Sequence, residues 1–185
     1  MKNWFKKLSS KKNQLPKNID LHSLQINGFN LPGAMIKRLE THKWKAPENK
    51  VHLKNLIQDN CPPNIQLDDF FQLIPDFYPW PVDLMKSESE RLIKWLDPTW
   101  DKDRIMFLGQ KDEQVYPGDI EHDQVILFAD FGLGSDTCFA LDFRENHQSP
   151  IVILMYWGKN PRTDNRWIKV ADSFEAFEAI IWKDE

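Results

Sequence analysis

The chain has little to hold it together covalently. Cys61 and Cys138 are its two cysteines in 185 residues. Two thiols that far apart build no disulfide framework and lack metal-ligand spacing, so a reducing, cytoplasmic setting is expected. No run of eighteen apolar residues occurs, so no transmembrane helix is expected. The first residues are cationic but no apolar stretch follows them, which argues against a secretory signal. There is no Gly-Lys-Ser/Thr of the Walker type. Gly132-Leu133-Gly134 is followed by a strand pattern rather than a helix, so it reads as a turn and not a phosphate cradle.

What is present is a core, and charge of uneven sign. Apolar residues make up 41% of the chain and aromatics 12%, enough for one domain of ordinary size. Lys2, Lys6, Lys7, Lys11, Lys12 and Lys17 stand in the first seventeen residues with no acid among them; the rest keeps 18 basic residues against all 28 acids, a net −10. The band Asp97–Glu145 is the most acidic, with twelve acids against four bases. Such a body repels nucleic acid and attracts basic proteins or cations, so no nucleic-acid partner is expected. Residues 1–18 read as a basic tail. Met1, Trp4, Phe5 and Leu8 fall at helical spacing, so weak, reversible contact with a membrane surface is the alternative to a frayed end.

The remaining residues, 19–185, read as one domain with a helical part over 19–100 and a sheet part over 101–185. Helices are predicted from Gly33 to about His42 and from Asp83 to Leu96, with Leu84, Leu92, Trp95 and Leu96 apolar. Asn49 is placed to cap a short helix or strand running through Ile57. A helical turn is predicted at Asp68–Phe71, and Pro75–Pro81 as a rigid aromatic loop. Strands are predicted at Arg104–Leu108, Val125–Ala129, Thr137–Phe143, Ile151–Trp157 and Trp167–Val170. Val125–Ala129 and Ile151–Trp157 are apolar on both sides, to be covered by helices or by a second copy. Tyr116–Asp119 reads as a turn, and Gly158–Asn165 as a polar loop. The last helix is predicted to start at an Asp172 cap and to bury Phe174, Phe177, Ile180 and Ile181. Its shortness requires it to dock on the sheet. The expected class is α+β: a largely antiparallel sheet of about five strands flanked by helices, with the C-terminal helix packed on the sheet.

Residues 125–182 carry a family pattern: VILFADFGLGSDTCFALDF, then PIVILMYW, then WIKVADSFEAFEAII. Gly134 and Asp136 fit its small-residue turn, and Leu141-Asp142 its strand end. Pro150 and Val152 fit the next strand, and Ala171, Ser173, Phe174 and Phe177 the helix start. In these residues the chain resembles the SUKH superfamily, the group of fungal cell-wall-synthesis regulators and bacterial toxin-immunity proteins. The resemblance implies a non-enzymatic domain that binds another protein, in bacteria a cognate toxin and often a nuclease, with no cofactor. The alternative expectation is a regulatory scaffold in envelope or stress signalling.

An acidic surface suits the basic active site of a nuclease. The expected protein-binding residues are therefore Asp119, Glu121 and Asp123 in one loop, Asp136 in a turn, Asp142 on a strand, and the loop tryptophans Trp80 and Trp157. Trp167, also next to a loop, is a further candidate. The Asp119–Asp123 loop with His122 has oxygen ligands for a hard cation, but its spacing matches no EF-hand, and a solvated loop is preferred. Asp130, Asp136 and Asp142 would form a carboxylate site if they converged; turn capping and a buried hydrogen bond are the simpler roles. Neither cysteine has a partner histidine in the sequence, and Ser173 is explained as a helix start.

Overall fold

The computed structural model describes residues 19–63, 65, 76–95, 104–131, 138–156, 158 and 160–185, with the backbone alone at 93–95, 104, 161 and 162. The Lys-rich segment, the Asp68–Phe71 turn, the Gly132–Gly134 turn with Asp136, and Trp157 lie outside the described residues. The class is α+β, as the element order predicts.

The chain enters through a small hairpin, β1 (Gln25–Ile26) and β2 (Phe29–Asn30), joined by Asn27-Gly28. Both turn residues are left-handed, with φ of 52° and 83°, which is why Asn-Gly serves here. Helix α1 (Gly33–Glu40) buries Met35, Ile36, Arg38 and Leu39. Asn49 does cap a helix, α2 (Lys50–Asn60): its side chain accepts from the Val51 amide, and Leu53, Leu56 and Ile57 turn inward.

The main sheet is antiparallel throughout. Its strands are β3 (Tyr78–Pro79), β4 (Pro117–Gly118), β5 (Val125–Asp130), β6 (Cys138–Asp142), β7 (Ile151–Tyr156) and β8 (Arg166–Ala171), in the order β3-β5-β6-β7-β8-β4. Four of the predicted strands are found, and they are consecutive hairpin neighbours. The two edge strands were not among the expected five and bring the total to six. Each is two residues long and contains a proline, which limits pairing with another chain. They arise inside segments that read as an aromatic loop and a turn.

Arg104–Leu108 is a correction: it forms a helix, α4, and not a strand. A run of four apolar residues, Ile105 to Leu108, carries no period that separates the two states. The surroundings decide, because every carbonyl of its last turn finds a donor. Ile105 O accepts from the Gly109 amide at 2.9 Å, and Leu108 O from the Ile120 amide at 2.9 Å. Met106 O accepts from Asn165 Nδ2 at 2.7 Å, and Phe107 O from Trp167 Nε1 at 3.1 Å. Gly109 leaves the helix at a φ of 70°, a left-handed exit that suits glycine.

Helix α3 (Val82–Trp95) lies along β5. Among its described side chains the buried ones are Val82, Met85, Ser89 and Leu92, so the polar Ser89 belongs to the inward stripe. A bulge between Leu127 and Ala129 interrupts the β5–β6 register, and Ser89 Oγ accepts from the Leu127 amide at 2.9 Å. A short turn, α5 (Pro161–Asp164), interrupts the predicted 158–165 loop.

Helix α6 (Phe174–Ile181) closes the chain. Its cap is Ser173, whose hydroxyl accepts from the Ala176 amide at 3.1 Å. The expected cap, Asp172, instead accepts from Lys169 Nζ at 2.8 Å, because Ser173 holds the extended backbone that a cap needs. Phe174, Phe177 and Ile181 are buried against the sheet, while Ile180 is exposed. Trp44, Phe77, Phe128, Phe139, Phe174, Phe177 and Trp182 form one connected aromatic layer, with ring centroids 5.5–6.4 Å apart. Strands β5 and β7 are buried almost along their full length within a single copy of the chain, so covering their two faces needs no second copy.

A candidate protein-binding surface at one end of the sheet

Five acidic residues of the middle band, Asp119, Glu121, Asp123, Asp142 and Glu145, lie near where β6 ends and β5 begins. Asp142 is the last residue of β6 and is nearly inaccessible, with 3% of its side chain exposed. Two residues on, Arg144 turns back on it. Nε donates to Oδ1 and Oδ2 at 3.1 Å, Nη2 donates to Oδ2 at 2.8 Å, and the Arg144 amide donates to Oδ1 at 3.1 Å. The same guanidinium reaches Asp119, with Nη2 donating to its backbone O at 2.6 Å and Nη1 to Oδ1 at 3.3 Å. Burial by itself pulls the Arg144 pKa down. The hydrogen bonds and charges of Asp142 and Asp119 more than reverse that, so it stands above the ordinary arginine value.

The loop from Gly109 to Ile120 folds back on itself and brings Asp119 to this place. Gly109 bridges to Asp119 and Asp112 to Val115. Gly118 is left-handed, with φ of 75°, and a Cβ there would meet Gln110 O at 2.8 Å, so the close approach requires glycine. Val115 is buried beneath the loop, and Asp112 pairs with Arg166 at 3.3 Å. The backbone hydrogen bond to Asp112 from the Gln114 amide, with Arg166 beside it, holds the Asp112 carboxyl below its ordinary value.

Glu121 and Asp123 are exposed on the turn between this loop and β5, and Glu145 is exposed just past Arg144. The turn is fixed from behind. Asn27 Nδ2 of the β1–β2 hairpin donates to Val125 O at 2.9 Å, and the Phe143 amide donates to Gln124 O at 2.9 Å. Phe29 stacks on Phe143 with centroids 4.4 Å apart, and His147 meets the Phe29 ring edge-on at 5.2 Å.

Of the expected contact residues, the structure thus brings together Asp119, Glu121, Asp123 and Asp142, with Asp119 partly and Asp142 almost fully buried. Asp142 is a correction as a contact residue: its carboxylate is consumed by Arg144. Trp80 is a second correction. It is 3% exposed, with its indole Nε1 donating to the Asp130 carboxylate and its carbonyl accepting from Trp44 Nε1 at 2.8 Å. A proline-framed loop suggested exposure, but the edge strand β3 folds that loop onto β5 and takes the ring inside. Trp167 is a third, fully buried on β8 with its indole on α4.

The carboxylates do not converge into one site. The register pairs Val125 with Asp142 and Asp130 with Cys138, so Asp130 and Asp142 sit at opposite ends of the strand pair. Among the described residues, no group of three or more His, Cys, Asp or Glu side chains is arranged to hold a metal ion. No helix among them is long and apolar enough to cross a membrane.

Two residues of this surface were missed in the sequence. Arg144 was legible, since an arginine two places after a strand-end aspartate can fold back on it. Tyr116 had no such signal, because its display depends on the loop geometry. No protein-family model matches the chain, and neither a curated protein nor a solved structure matches it.

Proposed function

We propose that this chain is a protein-binding domain of the SUKH kind, an immunity protein that neutralises a co-encoded toxin by covering its basic working surface. It works by occupancy and not by turnover, in the cytoplasm where such a toxin would act. The observation that carries the reading is the anionic end of the sheet. Glu121, Asp123 and Glu145 are exposed at this end, and the one arginine beside them in the chain, Arg144, is already paired with Asp142 and Asp119. Fixed carboxylates on a rigid frame speed capture of a basic partner and reject acidic ones. The consecutive antiparallel strands β5 to β8 followed by α6 fit the family pattern read from residues 125–182.

The test is a pull-down of the neighbouring gene's product, paired with protection of cells that express it. The chain is expected to bind and to protect. The double variant Glu121→Lys, Asp123→Lys is expected to bind more slowly, with the deficit largest at low salt. If the unaltered chain neither binds that product nor protects against it, the immunity reading is lost.

A further inference from the structure

Among the described residues, Tyr116 is one of a few large apolar side chains left open to solvent, with 47% of the residue exposed. Its position is not that of a loose loop. Its carbonyl accepts from the Lys169 amide at 2.9 Å, Pro117 and Gly118 pair with β8, and Val115 is anchored in the core. An aromatic ring on a fixed backbone loses little freedom on binding, which suits it to be an interface anchor. Its surroundings define what it would receive. The charges of Glu145 and Asp142 act on the phenol. The ring already accepts one cation, since Lys169 Nζ lies 5.6 Å from its centroid while Asp172 holds that ammonium.

We infer that Tyr116 is the anchor of this surface and that it receives an arginine side chain of the basic partner, the guanidinium stacking on the ring while its charge meets Glu145. This rests on the protein-binding reading and names the chemistry of the contact. Arginine fits better than lysine. A planar, weakly hydrated guanidinium can stack on an aromatic ring and donate at its edge to a carboxylate at once; an ammonium is a point charge that holds its water.

The experiment compares nona-arginine with nona-lysine binding to the full chain, measured by calorimetry or by the perturbation of Tyr116 ring resonances. The two peptides carry the same side-chain charge, so general attraction to the acids cancels in the ratio. The arginine peptide is expected to bind about threefold more tightly, the size of a cation–π contact at an exposed site. Tyr116→Ala is expected to bring the ratio to one, and Tyr116→Phe to keep most of it, both with unchanged circular dichroism. Raising the salt should weaken both peptides and leave the ratio. Equal affinities for the unaltered chain, or a preference that survives Tyr116→Ala, overturns the inference. Either result leaves the toxin pull-down to decide the broader reading by itself.

Discussion

Asp130 ends β5 and Asp142 ends β6, so the antiparallel register sets them at opposite ends of one strand pair. Both are buried, at 7% and 3% exposure, and both accept from a side-chain nitrogen donor. Among the described residues, the side-chain donors differ in kind. Asp130 accepts from the indole of Trp80, which is itself locked to Trp44 and enclosed by the aromatic layer. Asp142 takes the cation of Arg144, whose remaining bonds go to the side chain and backbone of Asp119. The end at Asp130 is taken into the core together with the Trp80 ring. A charged donor fixes an acidic end while leaving it at the surface. The same residue type at equivalent strand positions therefore closes one end and displays the other.

That division can be broken by mutation. The largest loss is expected at the sealed end, where Trp80→Ala empties a fully packed site and should cost about 4 kcal/mol in urea unfolding. Arg144→Ala should follow at about 3 kcal/mol, because it leaves the Asp142 charge buried and unpaired. Adding Asp142→Asn should restore much of that loss, since the penalty belongs to the orphaned charge and not to the pair. The two ends should then separate in function. Trp80→Ala protein that remains folded is expected to bind its partner normally, whereas the Arg144→Ala, Asp142→Asn protein is expected to bind poorly, its Asp119 no longer held. Loss of binding in folded Trp80→Ala protein would break the division.

Between the two ends, Ser89 sharpens the comparison. Its hydroxyl replaces a strand partner for the Leu127 amide at the β5 bulge, where the short edge strand β3 has already stopped. Ser89→Ala should cost about 1–3 kcal/mol for an unsatisfied buried donor. Faster hydrogen exchange at the Leu127 amide would locate that loss; unchanged exchange there would show that the serine is only packing.

How far these features can be read without coordinates depends on what dictates them. The four central strands and α6 were legible, because runs such as Val125–Ala129 and Ile151–Tyr156 are apolar over the length of a strand and are bounded by turn residues. Asn27-Gly28 between short apolar flanks carried a hairpin signal that was passed over. The rest was set by distant partners. Arg104–Leu108 becomes helical because Asn165, Trp167 and Ile120 satisfy its carbonyls, and Ser89 faces inward because a bulge elsewhere needs an acceptor. At the candidate surface, the acids could be counted from the sequence. Which of them are spent inside the fold could not, since that depends on Arg144 reaching two segments that are 23 residues apart at Asp119 and Asp142.

The smallest effect expected is a test of whether the displayed acids act together on Tyr116. Its phenol is pushed up to about 12, first by burial, then by Glu145 and by the charge of Asp142. The folded chain therefore holds this proton more tightly than the unfolded chain, whose tyrosines titrate near 10. The stability linked to Tyr116 is intact below about pH 10 and declines as the pH rises from there towards 12. Other tyrosines and lysines titrate in the same window, so the quantity to measure is the difference between the unaltered chain and Tyr116→Phe in urea midpoints at pH 9, 10 and 11. That difference should shift against the unaltered chain as the pH rises. In Glu145→Gln the shift should shrink but persist, because burial is the larger cause and the carboxylate the smaller. A shift that Glu145→Gln leaves untouched would mean that burial alone governs the phenol. Glu145 would then face solvent without acting on the ring, and the sealed and displayed ends would differ in exposure but not in electrostatic coupling.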